Sequence, residues 1–151
     1  MLTREERQQQ NRELCEKYPF IQVINWRTGR PYEDEDYSFT HLDRLPDGWR
    51  KAFGEKMCEE LKEALEEDGK LDDYWVVEVK EKYGYLRWTD DGGTEKTEEI
   101  VKKYEDISER TCVSCGAPAT MYTYKGWISP WCKECAEALG KDCVTAEKYF
   151  G

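Results

Sequence analysis

The chain has 151 residues, 38% of them hydrophobic and 13% aromatic, which suits one domain, or one domain with a small metal-held module, and excludes global disorder. Its net charge of −10 is concentrated between residues 33 and 109, where twenty-five acidic groups face twelve basic ones; such a surface repels phosphate backbones and disfavours general nucleic-acid binding there. No apolar run reaches the length of a signal peptide or a membrane span, and four of the seven cysteines stand in metal spacing, so a soluble protein of a reducing, intracellular compartment is expected.

Thr3 followed by Glu6 has the spacing of a capping box and predicts a helix to about Tyr18, with apolar positions so sparse that it should lie on the surface. From Pro19 to Asp47 the prolines, Gly29, many aromatics and the run Glu33-Asp34-Glu35-Asp36 predict a long irregular segment pinned by aromatic anchors. Trp49, Phe53, Met57, Leu61 and Leu65 recur every four residues and predict a strong amphipathic helix, with Asp47 as its cap and Gly69 as its stop. Trp75, Val77 and Val79, then Leu86 and Trp88 beyond Gly84, alternate with polar residues as the buried face of a β-hairpin would. Its other face carries Lys80, Lys82, Tyr83, Tyr85 and Arg87. Thr94 and Glu95 then open a helix with an inner stripe of Thr97, Ile100, Val101, Tyr104 and Ile107.

The constellation with chemistry follows that helix. Cys112-Val-Ser-Cys115 and Cys132-Lys-Glu-Cys135 are separated by sixteen residues, and each Cys-x-x-Cys turn offers two thiolates to a tetrahedral metal. Gly116 suits the tight return of the first turn. Met121 to Tyr124 and Trp127 to Ile128 read as short strands about a Lys125-Gly126 turn, with a short helix from Glu134 to about Gly140. Four sulfur ligands leave no position for water or substrate, so the expected cofactor is structural Zn2+. The predicted class is α+β: a small antiparallel sheet packed by two main helices in residues 1–109, and a zinc ribbon with a C-terminal tail in residues 110–151.

Other residues carry weaker signals. His41 is the sole histidine, which leaves no second imidazole for catalysis, and it reads as a polar loop residue. Cys15 and Cys58 read as packed thiols, and Cys143 is a spare beside an already complete ligand set. Glu78-Val79-Lys80 with Asp47 superficially matches a nuclease signature, but a carboxylate at a helix start is badly placed to share a metal with a strand residue. Residues 33–36 lack the glycine and closing glutamate of a calcium loop. The Lys/Tyr/Arg hairpin face could stack bases or meet an acidic ligand, and packing beneath the aromatic 19–49 segment is the favoured alternative.

The strings Asp47-Gly-Trp-Arg-Lys-Ala-Phe-Gly, Val79-Lys-Glu-Lys-Tyr-Gly-Tyr-Leu-Arg-Trp and Ser108-Glu-Arg-Thr-Cys-Val-Ser-Cys-Gly together resemble a family of uncharacterised bacterial and prophage zinc-ribbon proteins. The resemblance covers most of the chain and implies a phage or mobile-element setting in the bacterial cytoplasm. It implies no activity and supplies no catalytic residue. Where relatives often end the second knuckle in histidine, this chain has Cys135.

With the acidic imbalance, the expected function is a non-enzymatic, phage-type factor that binds a host protein or complex. Its contacts would come from Glu33, Asp34, Glu35 and Asp36 and from the hairpin face, and its sharper form is a nucleic-acid-mimicking inhibitor of a host defence nuclease. The alternative is a nucleic-acid-binding regulator using the ribbon and the hairpin face, with Arg110, Tyr124, Lys125, Trp127 and Lys133 in contact. An enzyme with a second metal is the third reading, and nothing in the sequence converges on such a site.

Overall fold

Thr3 caps α1 (Arg4–Lys17) by accepting the Glu6 amide at 3.1 Å, as the spacing predicted. In the computed structural model, which describes residues 1–147, α1 lies on the surface and buries only Asn11 and Cys15. The 19–47 segment is less irregular than expected. It holds a 3-10 turn (Pro19–Ile21), a minimal hairpin of β1 (Ile24–Asn25) and β2 (Arg30–Pro31), and a second 3-10 turn (His41–Arg44) capped by Thr40. Phe20, Ile21 and Leu42 anchor it in the core, whereas Trp26, Tyr32 and Phe39 face solvent.

The predicted stripe Trp49, Phe53, Met57, Leu61 and Leu65 is buried along its whole length. It runs along one helical path made of α2 (Asp47–Trp49), a π-helical turn (Arg50–Gly54) and α3 (Glu55–Glu67). The wider turn keeps Trp49 and Phe53 on the inner side, their ring centroids 6.2 Å apart. Asp47 is the first helical residue and not the cap, which is Pro46; its carboxylate stands in the first turn, where the helix dipole favours it. At the far end Gly69, at φ +64°, lets its own amide reach Glu66 O at 3.1 Å and that of Lys70 reach Leu65 O at 2.8 Å. This paired closure satisfies the last carbonyls.

β3 (Trp75–Lys82) and β4 (Tyr85–Asp91) form the central antiparallel hairpin. Its inner face differs from the predicted alternation. A bulge between Val76 and Glu78 shifts the register, so Val76 is buried and Val77 is 52% exposed, because one extra residue sends every side chain beyond it to the other face. Val79, Leu86 and Trp88 point inward as expected. α4 (Glu95–Ser108) starts at Thr94 with a reciprocal Thr94/Thr97 capping box and buries Thr97, Val101 and Tyr104. It packs on α3 and on the π-helical turn before it, with the Phe53 and Tyr104 ring centroids 5.4 Å apart. It also closes the outer edge of β4: the Leu86 amide donates to Ser108 Oγ at 2.8 Å and the Trp88 amide to Glu105 Oε2 at 3.4 Å.

Beyond α4 come β5 (Thr120–Tyr124), β6 (Trp127–Trp131), α5 (Lys133–Leu139) and β7 (Val144–Thr145), the strands ordered β6-β5-β7. The Lys125-Gly126 turn and the short helix are where the sequence placed them, while β7, two residues long, carried no readable signal. The fold is thus mixed α and β with small antiparallel sheets. No described helix is long and apolar enough to cross a membrane.

Candidate metal centre

Two sharp turns bring the four predicted cysteines together. The first begins where β-bridge residue Thr111 pairs with Pro118; the Cys112 amide donates to Ala117 O at 2.8 Å and the Gly116 amide to Cys112 O at 3.0 Å, with Gly116 at φ +83°. The second is the start of α5, whose cap is Cys132 itself: its sulfur accepts the Cys135 amide at 3.4 Å. Because β5 and β6 form a hairpin, the end of β6 returns Cys132 to the first turn.

The sulfur atoms of Cys112, Cys115, Cys132 and Cys135 all lie within 4.8 Å of one another, and those of Cys115 and Cys132 are 3.6 Å apart. A disulfide would need about 2.05 Å. Four thiolates at about 2.3 Å from a tetrahedrally bound ion would stand about 3.8 Å apart, so the spacing fits a shared metal. Cys112 is fully buried and the others are half-buried. Burial pushes the Cys112 thiol up, but the amides of Cys115, Cys132 and Ser114 outweigh it and bring the group down to about 7. Cys135 is raised, first by its contact with Cys132 and then by burial; crowded sulfurs without a cation resist ionising together.

The first turn is seated on the helical core. The Gly48 amide donates to Val113 O at 2.8 Å and Trp49 Nε1 to Thr111 O at 2.8 Å. A Cβ on Gly48 would meet Cys112 O at 2.1 Å, and one on Gly116 would meet Gly48 O at 2.7 Å. Two glycines far apart in sequence thus let the metal turn and the start of α2 touch backbone to backbone. The sequence singled out Gly116 but gave no reason to single out Gly48.

No protein family, curated protein or solved structure matches the chain. The functional reading therefore rests on the chain's own geometry. Among the described residues the four cysteines are the one group of three or more His, Cys, Asp or Glu side chains close enough to hold an ion.

The remaining candidates are dispersed. Glu35 accepts the Tyr37 amide at 2.7 Å and Asp36 the Ser38 amide at 3.0 Å, while Arg4 approaches Asp36 at 3.7 Å. The Ser38 hydrogen bonds hold the Asp36 carboxyl below its ordinary value. Half of the acidic run therefore organises its own loop, leaving Glu33 and Asp34 exposed. Lys80, Lys82, Tyr83 and Arg87 are exposed and Tyr85 half-buried, so the hairpin face does not pack beneath the 19–49 segment. The register sets Lys80 opposite Arg87 and Lys82 opposite Tyr85, and Lys80 pairs with Glu78 at 3.2 Å.

His41 is a correction. It is 8% exposed, its Nδ1 has no partner, and burial, then the nearby Arg44 charge, lowers it to about 4. Cys15 and Cys58 are buried and their thiols raised chiefly by that burial, Cys15 to about 12. Cys143 is half-buried outside the cluster.

Proposed function

We propose that the four cysteines hold a structural zinc ion and that the chain is a non-enzymatic binding protein which docks a basic partner protein through the outer faces of α3 and α4. The observation that carries this reading is the segregation of charge. Residues 55–68 and 95–109 hold thirteen carboxylates against five lysines, on two helices packed side by side. Lys96 with Glu67 and Lys103 with Glu60 bridge the two helices, and most of the remaining carboxylates face solvent. A field of one sign on a rigid surface steers an oppositely charged protein and rejects polyanions.

Zinc fits the donor set because soft thiolates in tetrahedral array select it, and the absence of an oxygen or water position suits a structural role. In the sharper form of this reading the partner is a host nucleic-acid-handling complex whose basic channel the acidic helices fill, the setting being that of a phage-borne protein.

The test is affinity capture from host lysate with the wild-type chain and with a Glu63→Gln, Glu66→Gln, Glu99→Gln variant. A basic protein retained by the first and released by the second, with nuclease activity inhibited in the same fraction, supports the proposal. The same proteins captured by both chains would refute it.

A further inference from the structure

Tyr83 and Trp127 are each 70% exposed and stand at the tips of two different hairpins. Both tips are two-residue turns with both residues at positive φ: Tyr83 at 53° and Gly84 at 88°, Lys125 at 49° and Gly126 at 84°. Such turns favour Asn, Asp or Gly at the first position. A tyrosine there works against the backbone and gains no burial in return.

The end of the first hairpin is held against the strands of the second. A Cβ on Gly84 would meet Met121 Sδ at 2.7 Å, and the Ser129 hydroxyl donates to the Glu81 carboxylate. Between them lies a cleft of about 400 Å3 that Tyr83 and Trp127 both line, together with Gly126, Ile128, Lys80, Glu81 and Lys82. The Lys82 ammonium lies 5.7 Å from the centre of the Tyr83 ring. Glu81, the acidic group of the lining, accepts from Ser129 and Glu78 pairs with Lys80 at 3.2 Å, so Lys82, over the Tyr83 ring, is the cation presented to a ligand.

We infer that this cleft binds single-stranded nucleic acid, bases stacking on Tyr83 and Trp127 and a flanking phosphate meeting Lys82. Exposed π faces beside lysines are what an unpaired strand recognises. A duplex keeps its bases stacked inside, and an acidic peptide has no use for two aromatic planes. The acidic helices make binding weak at physiological salt and confine it to a few nucleotides, which distinguishes it from general nucleic-acid binding.

The experiment is fluorescence anisotropy of labelled eight-nucleotide DNA and RNA single strands with the full, metal-loaded chain at low salt. Saturable binding is expected. Trp127→Ala weakens it about tenfold, the scale of one lost base stack, and Tyr83→Asn does the same while raising the melting temperature, because Asn suits the turn. Lys82→Gln lowers the slope of log affinity against log salt by about 0.7, the value for one phosphate on a single strand. Trp26→Ala, on another exposed hairpin, changes nothing.

The inference is overturned if the strands fail to bind at low salt, if duplex of the same sequence binds as tightly, or if the Trp127 and Tyr83 variants bind like wild type. A glutamate-rich phosphopeptide that binds more tightly than the strands and loses affinity with the same variants would assign the cleft to acidic peptides instead. None of these outcomes bears on capture by the acidic helices.

Discussion

Replacing Gly48 with alanine tests whether the metal turn and the helical core are one body. Gly48 has ordinary helical geometry, so alanine gains about 1 kcal/mol of helix propensity. The new methyl carbon, however, would lie 2.1 Å from Cys112 O and 2.7 Å from the Gly116 amide nitrogen, backbone atoms that a metal held by the four cysteines would keep from yielding. Overpacking of this kind costs about 1–3 kcal/mol, and rigid backbone neighbours place it at the upper end. Losing the 2.8 Å bond from the Gly48 amide to Val113 O adds about 1 kcal/mol. The net loss is about 3 kcal/mol, which in a chain of this size lowers the melting temperature by about 6–12 °C. Gly54→Ala is the internal control, since the nearest atoms its methyl would meet are side-chain carbons, Leu45 Cδ1 at 3.3 Å and those of Arg50 from 3.4 Å; it should melt within a few degrees of wild type. Thermal melts in zinc-saturated buffer, with competition against a chromogenic chelator, measure both halves of the effect. A Gly48→Ala protein with wild-type melting and wild-type metal retention would refute the seating of the turn on α2.

Chelation at neutral pH should release hydrogen-exchange protection across 110–147 and also at 47–54, because thiolate-held metal contributes folding free energy on the order of 10 kcal/mol; exchange unchanged in both stretches would contradict it. His41, buried and lowered to about 4, makes stability pH-dependent in a definite direction. Above pH 6.5 neither state is charged; between 6.5 and about 4 the unfolded chain takes a proton the folded chain refuses, so stability falls with acidification, by as much as about 3 kcal/mol. The difference between wild-type and His41→Gln urea titrations isolates that term from acid release of the metal, and parallel curves would exclude it. At the bulge, Val76→Ala should cost about 2 kcal/mol and Val77→Ala less than about 0.5, as read by denaturant melts; the reverse order would restore the uninterrupted alternation.

What was legible in the sequence is what local periodicity and spacing control. The four-residue stripe from Trp49 to Leu65 and the paired Cys-x-x-Cys turns needed no tertiary knowledge, since a helix face and a two-thiolate turn are set within a few residues. Val77 was misplaced because alternation carries no mark of an inserted residue: the bulge is decided by how β3 meets β4, and Val76 and Val77 are the same amino acid. Gly48 passed unnoticed because its reason lies more than sixty residues away, at Cys112 and Gly116. As the sole histidine His41 reads as a polar loop residue, yet the Thr40 cap carries Leu42 into the core and His41 with it. Trp26, Tyr32 and Phe39 went the other way; aromatic composition measured how much could be buried and not which rings would be.

The side chains of Ser108 and Glu105 occupy two of the amides, those of Leu86 and Trp88, that β4 would otherwise offer to another strand. A ribbon obstructed along one border favours a newcomer on the other, which works against accidental pairing between copies of this hairpin growing into a fibre.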